Sequence, residues 1–240
     1  MTSDADTTPA LPALPWRAPS TRRRRGSQPA LDRDRIVDAG LRIVDADGVE
    51  ALSLRRLAAD LEVTPMAVYW HVKDKAELLD RIGERVLDSI QVPPPVGDWR
   101  RQLRDIHQAM LRPLLEHPNA VELMVGRARY GQAGITLFER ILSILLGAGL
   151  TPTQAFDAYQ SLYLFQLGFT ATVRRSAEFR AAQAQGLGYL LSLPEDRFPS
   201  IAAVAPTIGR RSIPEQYAIG LDVVIDGVAA RMLRSVGGPS

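Results

Sequence analysis

The chain has 240 residues, 46% of them hydrophobic, which is enough for a small domain and a larger one with buried cores. Its 29 lysines and arginines against 27 acids leave a net charge of only +2, so the charge total does not indicate a nucleic-acid partner. A sequence without cysteine excludes disulfides and thiolate metal sites. With no apolar run of about 18 residues and no secretory signal pattern, we expect a cytoplasmic protein without a membrane span.

Residues 1–30 are rich in proline and poor in large apolar residues, which predicts a disordered arm. The arm contains four consecutive arginines, Arg22 to Arg25. Such a run is often a solvated charge cluster. The alternative is a flexible segment that enters the minor groove of DNA beside a DNA-binding domain.

An amphipathic helix is predicted over residues 32–46, and residues 52–75 then predict two short helices joined by a tight turn. Ser53, Thr64 and Asp74 each precede a helical pattern, and their side-chain oxygens can accept a free backbone N–H of the first turn. Three caps at this spacing predict a helix–turn–helix followed by a longer helix.

The second short helix is predicted from Met66 to His71. A helix held outward in this way can enter the major groove of DNA. Small and apolar residues at its start suit base edges and thymine methyl groups, whereas the hydroxyl, imidazole and ammonium groups that follow suit phosphates. The predicted DNA-binding residues are Arg55 from the first helix, for a base or a phosphate, and Thr64, Pro65, Met66, Ala67, Tyr69, Trp70, His71, Lys73 and Lys75.

Two side chains in this stretch allow a second interpretation. Trp70 is predicted to contact DNA, and its alternative is a packing residue whose ring N–H lies on a phosphate. Arg56 faces solvent or has a structural role, in contrast to Arg55. Residues 31–90 carry 9 basic and 13 acidic residues, so their total charge does not indicate DNA binding. The prediction of DNA binding depends on where the basic groups lie.

The runs LRRLA (54–58) and VTPMAVYWHVKDK (63–75) resemble the DNA-binding domain of the tetracycline-repressor (TetR) family. YWHVKDK is closest to the branch that includes the tetracycline repressor, and YAIGLD (217–222) with IDG (225–227) resembles the end of that branch. The resemblance implies a homodimeric regulator that binds a palindromic operator and holds a small molecule in its C-terminal domain. No cofactor is implied.

A helix capped by Asp74 is predicted to run to about Ile90. The sequence VPPPVG (92–97) cannot continue it, because proline lacks the backbone N–H and clashes with the preceding turn. We therefore predict three parts: a basic arm (1–30), a DNA-binding domain with its connecting helix (31–90), and a ligand-binding and dimerisation domain (91–240).

The remainder of the chain shows helical patterns only, so the predicted class is all-α, with a three-helix DNA-binding domain before a larger helical domain. The segment 186–209 is predicted to be looser, with a short helix near 199–204. The longer predicted helices cover residues 98–115, 131–146, 152–177 and 213–235, and a short one covers 118–124.

Two of these helices, 152–177 and 214–235, are apolar on more than one side, and small residues such as Gly220 and Gly227 would let helix backbones approach closely. A monomer needs one apolar side on each helix. We therefore predict that both helices pair with their symmetry mates in a four-helix dimer interface, which the resemblance also implies. A dimer would place two recognition helices on the two halves of a palindrome.

The resemblance implies an effector pocket, and an apolar cavity with a few polar groups is the usual small-molecule site. For each candidate taken singly, plain core packing is the competing interpretation. His107 and His117 are not spaced as a helical metal pair, so no metal ligand is predicted. Tetracycline-repressor relatives use histidines to hold a magnesium–drug complex, and those positions are not matched in this sequence, so the resemblance does not point to tetracycline as the effector. The candidates are Trp99, His107, Met110, Leu114, Met124, Phe138, Tyr159, Tyr163, Gln166 and Phe169.

Three function classes remain to be compared. A ligand-responsive repressor without catalysis fits all of these patterns. An enzyme is disfavoured, since the sequence shows no catalytic triad pattern, no glycine-rich phosphate loop and no metal-spaced cluster. A regulator without an inducer, architectural or activating, would use the same first domain without needing a hollow second one.

Overall fold

The computed structural model describes residues 31–124, 126–173, 177–208 and 210–236. These residues form ten α-helices, short 3₁₀ segments and loops without a strand among them, which confirms the predicted all-α class. The arm at residues 1–30, with its arginine run, lies outside the described residues. No helix in the described ranges is long and apolar enough to cross a membrane.

The described residues fall into two compact units. The first comprises residues up to Asp88 together with Leu123–Leu137. The second comprises Ser89–Glu122 and the residues from Phe138 onward. The domain boundary at 90/91 stays a prediction.

The first unit is built on four helices, whose bounds are α1 Arg33–Asp47, α2 Leu54–Asp60, α3 Pro65–Tyr69 and α4 Lys75–Asp88. Their apolar stripes meet in one core, where Ile36, Leu57, Val68 and Ile82 are fully buried. Gly40 lets α1 approach α4, because a Cβ there would lie 2.8 Å from the terminal methyl group of Ile82.

The other helices are α5 Trp99–Glu116, α6 Gln132–Gly147, α7 Pro152–Val173, α8 Ala177–Leu191, α9 Pro199–Val204 and α10 Ile213–Val236. The 3₁₀ segments are Val49–Ala51, Pro118–Met124, Arg127–Tyr130 and Ala205–Thr207. Caps begin several helices: the Asp98 carboxylate accepts from the Arg101 backbone N–H at 2.9 Å, and Ser212 exchanges hydrogen bonds with Glu215.

The core of the second unit lies where α5, α7 and α10 pack together. Leu103, Leu162, Leu221 and Ile225 are fully buried there. Gly220 on α10 faces the ring of Phe165 on α7, and a Cβ at this position would lie 2.6 Å from the ring. The close approach of α7 and α10 therefore depends on a residue without a side chain.

Two predicted segments differ from the structure. The recognition helix is α3, which ends at Tyr69 and not at His71, because the His71 N–H turns back to the Val68 carbonyl at 2.9 Å to start the next turn. The segment from 186 to 191 is not loose but helical, as the end of α8. Apolar residues in α8 are spread around the helix, so no stripe indicated it.

Candidate nucleic-acid interface and effector core

The turn between α2 and α3 is fixed by local chemistry. The Ser53 hydroxyl caps α2 by accepting from the Arg56 backbone N–H at 3.1 Å, and the Thr64 hydroxyl caps α3 by accepting from the Ala67 backbone N–H at 3.3 Å. Between the helices Glu62 adopts a left-handed conformation with φ 56°, and the Val63 N–H reaches back to the Ala58 carbonyl. Both predicted caps and the predicted turn are confirmed.

Helix α3 is anchored by one side and exposed on the other. Val68 on α3 and Val72 just beyond it are fully buried. On the other side Met66 is 65% exposed, Tyr69 52% and Trp70 79%. The packing interpretation of Trp70 is therefore wrong. Large apolar side chains held in solvent indicate a surface made for a partner.

The two neighbouring arginines of α2 differ in their surroundings. The Arg56 guanidinium forms an ion pair with the Asp47 carboxylate at the end of α1. Arg55 is exposed and has no hydrogen bond or ion pair to another described residue. This contact fits the structural role predicted for Arg56. The guanidinium of Arg55 is available to contact DNA.

His71 lies half-buried between α3 and α4. Its backbone carbonyl accepts a hydrogen bond from the Arg33 Nε at 3.2 Å, which ties the start of α1 to the end of the helix–turn–helix. Burial lowers the pKa of the imidazole, and the nearby Arg33 guanidinium lowers it further against the opposing effect of Asp32. Both effects favour the neutral form of the ring.

All ten predicted DNA-binding residues lie within or beside α2, α3 and the start of α4, and none of them is fully buried. Lys73 is exposed, and its backbone N–H is held by the Glu77 carboxylate at 2.8 Å. Lys75 is the first residue of α4 and is half-buried. Contact of these side chains with DNA stays a prediction.

The predicted effector residues separate into groups in the second unit. His107 on α5 and Gln166 on α7 are buried, and the His107 Nδ1 lies 3.2 Å from the Gln166 Oε1. A second group is aromatic: the ring centroids of Phe138 and Tyr159 are 4.4 Å apart, and those of Tyr159 and Tyr163 are 5.9 Å apart.

The other predicted effector residues are more scattered. Met110 and Leu114 are buried on α5, whereas Trp99 is half-buried at the start of that helix, where the Arg100 guanidinium lies 5.4 Å from its ring centroid. Phe169 packs edge-on against the ring of Tyr217 at 5.0 Å. Met124 belongs to the first unit. An effector role for these residues stays a prediction.

Tyr217 on α10 completes the buried polar cluster and was not among the predicted site residues. Its hydroxyl donates to the His107 backbone carbonyl at 2.9 Å and also contacts the Gln166 side-chain oxygen. Burial raises the pKa of this phenol, so it stays protonated. A tyrosine within an apolar helix was the available signal.

An open groove of about 660 Å³ runs between α7 and α10. None of the ten predicted effector residues lines it. It is instead lined by residues that the sequence analysis assigned to a dimer interface, together with small residues of α7; these include Ala158, Ser161, Val223, Gly227, Val228 and Met232.

Comparison with known proteins gives matches at both ends of the chain. Residues 36–82 match the family model described as "Bacterial regulatory proteins, tetR family", and residues 93–232 match "Tetracyclin repressor-like, C-terminal domain". The transcriptional repressor DrrR1 of Streptomyces coeruleorubidus is 30% identical over 85% of this chain and 79% of its own length. The class A tetracycline repressor of Escherichia coli is 28% identical over 87% and 96%.

Solved structures agree with these matches. ActR of Streptomyces coelicolor in complex with actinorhodin superposes with a TM-score of 0.74 at 31% identity, covering 83% of this chain and 96% of that one. Its complex with (S)-DNPA gives the same TM-score at 32% identity, covering 84% and 98%. The chain therefore belongs to the TetR family of bacterial regulatory proteins, whose members are transcriptional regulators and not enzymes.

Proposed function

We propose that the protein is a homodimeric repressor that binds a palindromic operator through α3 and releases it when a small molecule binds the second unit. The observation that carries the DNA-binding half is the exposure of Met66, Tyr69 and Trp70 on a capped helix whose other side is buried. Such a helix fits the width of a major groove.

Effector response is supported by the relatives and by the buried polar cluster. ActR is the protein in the complexes with actinorhodin and (S)-DNPA. In the present chain His107, Gln166 and Tyr217 place polar groups inside a largely apolar core formed by three helices. A few polar groups among aromatic side chains are typical of a small-molecule site.

A dimer is supported by the unpaired apolar side of α7 and α10. Leu164 on α7 and Val223 on α10 are more than 60% exposed. The groove beside them contains Gly227 and Ala158, small residues that allow another helix to approach. Two-fold pairing through this surface would present two copies of α3 to the two halves of a palindrome.

We propose that α4 transmits the conformational change caused by effector binding to the DNA-binding helices. The Glu84 carboxylate on α4 accepts from the backbone N–H of Gln132, the first residue of α6, at 2.9 Å. One residue further along α4, Arg85 forms ion pairs with Asp34 and Asp38 of α1 at 3.2 and 3.3 Å. A movement of the start of α6 would therefore displace α4, the helix that follows α3.

The experiment that tests this function is selection of bound duplexes from a random DNA pool with the full-length protein. We expect enrichment of one palindromic sequence. Its affinity should then be measured with and without actinorhodin, the compound held by ActR, and with other aromatic compounds. Full release by an effector requires that it favour the non-binding state by about 5 kcal/mol. A pool without enriched duplexes would overturn the proposal.

The two arginines of α2 give a matched pair of variants. Arg55→Ala should weaken operator affinity by about 10- to 100-fold, since it removes a base or phosphate contact. Arg56→Ala should change the affinity by less than about threefold, because its guanidinium is held by Asp47 in an exposed ion pair. Fluorescence anisotropy at one salt concentration measures both. Equal losses in the two variants would place the DNA surface elsewhere.

The contact between α4 and α6 gives a second prediction. Glu84→Ala removes the acceptor for the Gln132 N–H, so operator affinity without effector should stay within about threefold while the effector concentration needed for release rises about tenfold. Glu84→Gln is the control, since its amide oxygen can still accept the bond. Anisotropy titrations with the effector found in the selection give both values. An unchanged response in Glu84→Ala would exclude this contact from the switch.

A further inference from the structure

The buried polar cluster of the second unit contains hydrogen-bonding capacity that the protein does not use. His107, Gln166 and Thr170 are each only 1% exposed. The Thr170 hydroxyl is satisfied, since it donates to the Gln166 backbone carbonyl at 2.8 Å. The His107 Nε2 and the Gln166 Nε2 are both buried and have no partner in the described part of the chain. Buried polar atoms are normally paired, so these two need an explanation.

Hydrogen-bond roles follow from the contact between the two side chains. The Gln166 Oε1 can only accept, so the His107 Nδ1 that lies 3.2 Å away carries the ring hydrogen. The His107 Nε2 is then an acceptor. Burial lowers the pKa of His107 to about 4, so the ring is uncharged at neutral pH. The Gln166 amide group contributes two unused N–H donors.

The opposite orientation of the amide leads to the same requirement. The Tyr217 hydroxyl has one hydrogen and faces two acceptors, the His107 carbonyl and the Gln166 Oε1. Turning the amide over would let its NH₂ group donate to the tyrosine oxygen and to the His107 Nδ1. The His107 Nε2 would then carry a hydrogen and the amide oxygen would be free. Both orientations leave one acceptor atom and one nitrogen donor without a partner; this donor carries two hydrogens in the first orientation and one in the second.

The surroundings restrict the ligand further. The ring of Tyr217 packs against those of Phe165 at 5.4 Å and Phe169 at 5.0 Å. No aspartate, glutamate, lysine or arginine of the described residues is buried in this core. A charged ligand would therefore be desolvated without a counter-charge, whereas a flat aromatic ligand would find aromatic faces and edges.

We propose that His107 and Gln166 select the effector, and that the effector is an uncharged aromatic compound with a hydrogen-bond donor next to an acceptor. Primary carboxamides, lactams and hydroxy ketones belong to this class. The inference rests on the proposed effector site and names its ligand chemistry. A compound that offers an acceptor alone would leave one buried protein atom unpaired and would bind more weakly.

A pair of probes of nearly equal shape tests the proposal. Naphthalene-2-carboxamide carries an NH₂ group where 2-acetylnaphthalene carries a methyl group, so only the amide offers both a donor and an acceptor. Calorimetric titration of the full-length protein should give at least about tenfold tighter binding of the amide. The imidazole ¹⁵N shifts of His107 should move on binding the amide and stay unchanged with the ketone.

Variants assign the preference to the two side chains. Gln166→Leu and His107→Phe should reduce the preference to less than about twofold. Thr170→Val is the matched control, since it removes a buried hydroxyl that is already satisfied, and it should keep the preference. Operator affinity without ligand shows that each variant is folded.

Equal binding of the two probes, binding of neither, or a preference that survives in Gln166→Leu would overturn the inference and leave the cluster as a hydrated part of the core. If the wild-type protein binds its operator but shows no amide preference, only this inference fails. If it selects no operator, the proposed function fails as well.

Discussion

Val223→Asp is expected to convert the proposed dimer into a monomer and to weaken operator binding at least about hundredfold. Val223 is 68% exposed on α10 and lines the groove beside α7. In a two-fold interface each substitution occurs twice, so two carboxylates would lose water in an apolar contact. Desolvation of these carboxylates costs on the order of several kcal/mol, which is more than one valine contributes to the stability of such an interface.

Operator affinity falls in this variant because a monomer reaches only half of a palindrome. The two half-sites no longer bind as one unit, and the second α3 must be recruited from solution. Sedimentation at micromolar concentration gives the oligomeric state, and anisotropy with the selected operator gives the affinity. The two readouts should change together.

A matched control uses the same substitution at another exposed valine. Val96 is 55% exposed in the proline-rich loop before α5, away from the groove. Val96→Asp adds the same charge to the second unit and should remain a dimer with wild-type operator affinity. A dimeric Val223→Asp protein with full affinity would mean that another surface makes the dimer.

Helix starts were predictable from the sequence because capping is local. Ser53, Thr64 and Asp98 each accept from a backbone N–H three residues further along, so the donor and the acceptor lie in one short stretch of sequence. The apolar stripes of α1 and α4 can also be read within one short stretch of sequence each, and they predicted which residues form the core of the first unit. The recognition surface follows from these two signals.

The cluster of His107, Gln166 and Tyr217 was not predictable in the same way. These side chains lie on three helices, and 110 residues separate the first from the last. Sequence periodicity places a residue on a face of its own helix and says nothing about which helix packs against that face. The same limit applies to Arg56 and Asp47, whose ion pair distinguishes two adjacent arginines that look alike in the sequence.

Stability at low pH gives the second large effect. Because buried His107 resists protonation, the free energy of unfolding should be about 3 kcal/mol smaller at pH 4 than at pH 7. The pKa of His107 is about 4 in the folded protein, below its ordinary value of 6.5. Between these two values the unfolded chain takes up a proton that the folded protein does not, so acid favours unfolding. Above pH 6.5 the contribution is absent.

Urea unfolding at pH 7.5 and pH 4.5, at one protein concentration, measures this effect. Carboxylates also titrate in this range, so the quantity of interest is the difference in pH dependence between wild type and His107→Phe. The variant should lose less stability on acidification than the wild type by about 2 to 3 kcal/mol. If His107→Phe and wild type lose equal stability, the imidazole is protonated within the fold, and the neutral ring on which its hydrogen-bond roles depend is excluded.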